Sequence, residues 1–317
     1  MSAAAPRLQF RSTDVESWTV DDYARRMLAR KHPVHRHHGV WWWQVRRRFC
    51  WSLDPFAVHP PHGVRPAWTQ ALAGYQIVVA AASDANAWFN PMVLDDVPAH
   101  GPERLDGFRR NRIRKGLKLL TVRPLNSPDE LIRDGWVIER EFYERTRWIA
   151  PPPEAEWPAA MRYSFREPVI DHKLGAFAGD KLVAMMSWFG LGRTAHLAHI
   201  ASGEEGNKAC ANDALLAGWL WMLRECGGYD RAVYTVRSFK PTLDAFKESH
   251  GFRMMSIPSR VVLNPLLRLA LPRVRPGYLE RLLGLDERQA RDWIASARGD
   301  GREAAREADR PATPAEP

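Results

Sequence analysis

The sequence predicts a mixed α+β protein in which antiparallel hairpins run into crossover helices. Two hairpin signals carry the first half of that reading: Gly179-Asp180 between the runs KLGAFA and KLVAMMSWFG, and LGRT ahead of TAHLAHIAS. An apolar stretch from about Ala209 to Cys226, stopped by Gly227-Gly228 and followed by the strand-like AVYTVRS, carries the second. A helix between two strands of one sheet requires parallel neighbours. A sheet antiparallel in front and parallel behind opens where the two styles meet, and ligands favour such openings beside a helix N-terminus.

The elements follow in order. A polar start leads to a helix over Val20–Lys31, capped by Thr19 or Asp21. From Val40 to about Val97, strand-like runs (VWWWQVRRRF, YQIVVAAA, AWFNPMVL) are broken by HPPHGVRP and similar turns. A basic helix is expected over Leu105–Leu119. The strand LLTVRPL then leads into the helix DELIRDGWVIEREFYERT, a Pro-rich break APPPEAEWP, and the hairpins. The loop GEEGN opens the apolar helix, and AVYTVRS, PTLDAFKESH and FRMMSIPSRVVLN complete a β-α-(α)-β-β-β-α-β-α-β series. Short helices are expected after Pro265, and the tail from about 300 to 317 has too few large apolar residues to fold.

At 317 residues and 45% hydrophobic, with fourteen tryptophans, the chain can bury a sizeable core in one large or two modest domains. Its net charge of +9 suits an anionic partner: a phosphate-rich cofactor, nucleic acid or a membrane surface. Three cysteines and the lack of an apolar leader point to a reducing, cytoplasmic setting, and no apolar run approaches a membrane span.

Three segments resemble the GNAT acyltransferase superfamily, and within it the FemAB-like branch. RRNRIRKGLKL resembles that branch's basic segment before the first strand, NDALLAGWLWMLRECGGYDR its long apolar helix, and AFKESHGF its closing F-K-x-x-x-G. The resemblance covers about residues 105–263. It implies a splayed mixed sheet flanked by helices, with an acyl-CoA, acetyl-CoA by default, as donor. In the FemAB-like branch it implies an aminoacyl-tRNA instead. It divides the chain into an N-terminal α/β region, 1–104, with the character of a partial second GNAT-like half, the GNAT-like domain at 105–264, a helical extension at 265–299 and the tail.

The same resemblance places the site. A GNAT enzyme holds the coenzyme A pyrophosphate on a [QR]-x-x-G-x-[GA] loop; here Gly203, Gly206, Asn207 and Lys208 stand in that stretch, with no leading Gln or Arg. Asn212, Arg237 and Lys240 are further candidates for donor or acceptor contacts, while Asn207, Asn212 and Asp213 also suit helix capping. Lys247 occupies the position where most GNAT enzymes have a tyrosine that protonates the leaving group; an exposed lysine is the plainer alternative.

Transfer to an amine needs a base and oxyanion donors. His196 and His199 lie three apart on one strand, which puts them on opposite faces, so only one meets the cleft and His199 is favoured. Glu204 or Glu205 is the runner-up base. The histidines of KHPVHRHH, His32–His38, are too crowded for a tetrahedral zinc site and read as a basic, partly flexible segment. Trp41-Trp42-Trp43 reads as core packing first. Arg110, Arg114 and Lys118 share a helix face that can track RNA phosphates. Three readings stay open: an acyl-CoA-dependent N-acyltransferase acting on a small-molecule or peptide amine, an aminoacyl-tRNA-dependent transferase, and a non-catalytic GNAT-like binding protein.

Overall fold

The computed structural model describes residue 10 and residues 15–285, apart from Arg47, 148–150, Phe239 and Arg275. The tail expected to be disordered, and residues 286–299 before it, lie outside the described residues.

The first elements are α1 (Val20–Ala29), β1 (Val34–His37), β2 (Val40–Arg46), β3 (Phe49–Ser52), β4 (Gly74–Val78), β5 (Ala87–Phe89) and β6 (Pro91–Asp95). Next come α2 (Gly107–Leu119), β7 (Thr121–Pro124), α3 (Trp136–Thr146), α4 (Trp157–Ser164), β8 (His172–Ala178), β9 (Lys181–Leu191) and β10 (Thr194–Ser202). The last are α5 (Glu204–Lys208), α6 (Ala211–Cys226), β11 (Arg231–Val236), α7 (Pro241–Glu248), β12 (Arg253–Met254), β13 (Ile257–Leu263), α8 (Pro265–Val274) and α9 (Pro276–Leu283).

These elements form two compact units that interleave along the chain: Met1–Val34 with Pro91–Met255, and His35–Asn90 with Ser256–Pro317. The division differs from the contiguous one expected at 104 and 264, and two sequence runs explain why. AWFNPMVL contains a proline at 91, and the chain leaves one sheet before it and joins another after it, as β5 and β6. FRMMSIPSRVVLN breaks in the same way into β12 and β13.

The larger unit holds a seven-stranded sheet in the order β12-β6-β11-β10-β9-β8-β7. Every neighbouring pair is antiparallel except β10–β11. Left-handed glycines make the two expected hairpins, Gly179 at φ +60° and Gly192 at φ +55°. Helix α6 is apolar nearly all round and packs into the sheet through buried Leu215, Leu216, Trp219 and Leu223. On α2, Gly116 lets the two helices close: a Cβ there would meet the Cys210 carbonyl at 2.8 Å and the Ala214 methyl at 2.9 Å. A second apolar cluster, with Leu131, Ile138, Trp157 and Phe177, sits under α3 and α4.

One buried carboxylate ties these helices together. Asp213, 1% exposed, takes an ion pair from Arg109 and a hydrogen bond from Arg112 Nε at 3.2 Å, with His250 Nε2 at 3.5 Å. Asp213 therefore does not cap α6. The basic segment of α2 divides accordingly, with Arg109 buried and Arg110, Arg114, Lys115 and Lys118 exposed.

The smaller unit is built on a six-stranded sheet, β1-β2-β3-β4-β13-β5. One face packs Phe49 and Val261 against Leu279 and Leu283 of α9; the other buries Trp42, Cys50 and Ile77 beneath Val64 and Ala71. Trp42 is fully buried, while Trp41 and Trp43 are half-buried, as the alternation predicts. The histidine cluster is not a flexible segment: Val34–His37 is strand β1, hydrogen-bonded to β2.

Truncating Asp213 leaves two arginines without their shared anion in a buried place. Asp213→Ala is expected to lower unfolding free energy by about 3–5 kcal/mol, read from denaturant titration followed by circular dichroism.

Candidate active site

The ladder between β10 and β11 lasts three pairs: Thr194↔Arg231, Ala195↔Ala232 and His196↔Val233. Beyond them β10 runs on to Ser202 along β9, and β11 to Val236 along β6, without pairing to each other. The two strands part, leaving a wedge in the middle of the sheet. Both are irregular where they separate: β10 shifts register between Leu197 and His199, β11 between Val233 and Val236.

The shift on β10 overturns the expectation for its histidines. His196 pairs with Phe189 and His199 with Ser187, two residues apart on β9 and so on one face. Both histidines therefore share a face, because the extra residue at the bulge cancels the odd spacing. His196 is buried and stacks on Phe189 with ring centroids 5.0 Å apart. His199 is half-buried beneath α3, where its Nε2 lies 2.8 Å from Glu139 Oε1, within ion-pair distance though not aligned as a hydrogen bond, and its ring meets Phe142 edge-on at 5.5 Å. Glu139 is itself only 7% exposed, and its second oxygen has no hydrogen-bond partner. An imidazole held by a buried carboxylate can accept a proton at its other nitrogen while the carboxylate stabilises the cation. Among the described residues no group of His, Cys, Asp and Glu is arranged to hold a metal.

The stretch after β10 is a helical turn, not an open loop. Residues Glu204–Lys208 form α5, and Cys210 at φ +59° turns the chain into α6. Gly203 N–H donates to the Val183 carbonyl at 3.1 Å, and a Cβ on Gly206 would collide with that same oxygen. The glycines thus admit close packing on β9. The Glu204 N–H, where a phosphate would be received, donates to Glu141 Oε2 at 2.6 Å. Lys208 pairs with Glu204 at 2.7 Å, so Lys208 pulls the exposed Glu204 carboxyl below the usual range and weakens it as a base. Asn207 Oδ1 accepts from Ser202 Oγ at 2.8 Å. Asn212 is half-buried, its side-chain oxygen unpartnered, near the start of α6. An adjoining cleft of about 470 Å³ is lined by Asp134, Glu141, Lys181, Glu204, Glu205 and Lys208 among others, a mixed-charge wall.

Lys247 is 1% exposed, not a surface lysine. Its ammonium donates to the Val236 carbonyl at 2.7 Å and to Thr235 Oγ1 at 3.3 Å, just where β11 leaves its ladder. Burial pulls its pKa below the ordinary lysine range, opposed by Asp244 at 3.7 Å. Arg237 and Lys240 follow on the exposed run from β11 into α7.

Solved structures share this fold. FemX superposes with a TM-score of 0.52 at 11% identity over 80% of this chain and 99% of its own. The C-terminal DUF2156 domain of an Agrobacterium fabrum protein named as a lysylphosphatidylglycerol synthetase gives 0.52 at 11% identity, over 82% and 92%. The chain has the GNAT fold. No family model and no curated protein sequence matches it.

In this GNAT fold the sequence located β10, the 203–208 turn and the Lys247 helix, and the structure brings His199 to α3. The sequence reading missed Glu139 and Glu141. Glu139 carried a signal: it lies between Ile138 and Phe142 on the buried side of α3, a place for an acid only if something pairs with it.

Two further histidines set an acid limit. Burial, aided by neighbouring arginines, pushes His196 and His250 down to about 4. Between about 6.5 and 4 the unfolded chain binds protons that the folded one refuses, so stability present above 6.5 is lost as pH falls. The thermal midpoint should drop as pH is lowered from 7 towards 4, and His196→Phe should make that drop shallower.

Proposed function

We propose that this GNAT-fold chain is an acyltransferase that receives its acyl group from an aminoacyl-tRNA rather than from coenzyme A and passes it to an amine. The observation that carries this donor choice is the Glu141 carboxylate on the Glu204 N–H, 2.6 Å away. A pyrophosphate at that amide would displace Glu141 and meet Glu204 and Glu205, while Lys208 is already engaged. Like charges at such range are costly. The exposed face of α2, with Arg110, Arg114 and Lys118, offers phosphate contacts instead. A fold relative named for making lysylphosphatidylglycerol fits a reading in which an amino acid is the group moved.

In this reading the acceptor's nitrogen enters the wedge between β10 and β11. His199, beside Glu139, takes the proton released as nitrogen attacks the ester carbonyl and returns it to the tRNA ribose oxygen as the ester C–O bond breaks. Lys247 holds the β11 wall through the Val236 carbonyl.

The donor is tested by binding. Charged tRNA should bind with a steep salt dependence, and Arg110→Glu with Arg114→Glu should lower affinity and flatten the slope by about two phosphate contacts. Binding unchanged by both substitutions contradicts the tRNA reading, and a rise in melting temperature with acetyl-CoA restores the coenzyme. In a transfer assay with pooled amine acceptors, His199→Ala should reduce the rate by about 10²–10⁴, with full activity removing it from the mechanism.

A further inference from the structure

The segment HPPHGVRP has no part in the transfer reading, yet it walls a cleft of about 330 Å³ in the smaller unit. His38, His62, Arg65, Tyr75, Arg260 and Val262 line it, and no Asp or Glu is among its described lining residues. Strand pairing builds one wall: Val262 of β13 lies directly opposite Tyr75 of β4, and Arg260, two residues earlier, shares their face. Arg260 is steadied by donating to the Asp84 carbonyl at 3.3 Å. The other wall is stiff. Pro60, Pro61 and Pro66 fix three backbone angles, Gly63 turns at φ +84°, and His37 Nδ1 lies 2.7 Å from the Arg65 carbonyl, clamping the loop to β1. Tyr75 lies within the electrostatic reach of both guanidiniums.

We propose that this cleft binds a small phosphate monoester. Two guanidiniums in a lining without Asp or Glu present two positive charges, which a phosphate dianion balances and a lone carboxylate does not. Two imidazoles and a phenol supply further donors, enough for three phosphate oxygens. The preset loop lowers the ordering cost of binding. The inference rests on the smaller unit alone and stands whether or not the transfer reading holds.

The test uses the full chain. Isothermal titration with sn-glycerol 3-phosphate should show saturable binding, competed by inorganic phosphate. Arg65→Gln, at an exposed loop position, should weaken it by about ten- to a hundredfold with the melting temperature unchanged, and Arg260→Gln should act in the same sense. A parallel sedimentation with phosphatidylcholine vesicles containing phosphatidic acid separates the sources. Capture by those vesicles alone, lost in Arg65→Gln, assigns the same phosphate chemistry to a lipid headgroup. Absence of saturable binding to either probe up to about 10 mM, or binding indifferent to Arg65→Gln, overturns the proposal.

Discussion

The strand β10 cannot satisfy both neighbours along its whole length, and the candidate site follows from that conflict. It keeps β9 along its length except at the bulge after Leu197, and β11 for three pairs. Parallel and antiparallel ladders space their hydrogen bonds differently, and the register shift after Leu197 falls just beyond the last shared pair. One extra residue both frees an edge of backbone and turns His199 towards α3. The β11 strand shows the same device on its own side, with Thr235 at φ +52° inside its register shift. An opening in a sheet exposes unpaired peptide groups, and such groups persist only where surrounding structure fixes them.

That fixing is supplied by buried charge. Asp213 joins α2, α6 and the end of α7 through Arg109, Arg112 and His250, while Lys247 holds the loose end of β11 by its carbonyl. Each group is costly to bury alone and tolerable because it is met. Lysine suits this post: its long stem crosses apolar ground and its head has three donors, against a carbonyl, a hydroxyl and a carboxylate.

Local signals were legible where local physics decides. Thr19 caps α1 through the Asp22 N–H at 3.1 Å, the glycine hairpins fall where expected, and α6 follows its apolar run. What pairing decides was not legible. Nothing within AWFNPMVL says that its halves belong to different sheets, and nothing in TAHLAHIAS marks the bulge that reunites His196 and His199 on one face. The His32–His38 cluster reads as a basic, partly flexible segment, and sheet hydrogen bonding makes Val34–His37 of it a strand. The ionic partners were hidden for a related reason. The Arg109–Asp213 link spans 104 residues of sequence, and Glu139 meets His199 across two elements with no shared motif.

The path of the chain has one more consequence. Strand β6, residues 91–95, lies between β11 and β12 although it precedes the GNAT-like segment in sequence. A fragment cut to the boundaries that the motifs suggest would lose that penultimate strand. It would bare the flank of β11 and detach β12, inviting other molecules to fill the gap by edge-to-edge addition. The GNAT-like fold is therefore not a portable cassette, and any shuffling or fusion that respects its motifs but omits those five residues strips the strand that covers β11 and carries β12.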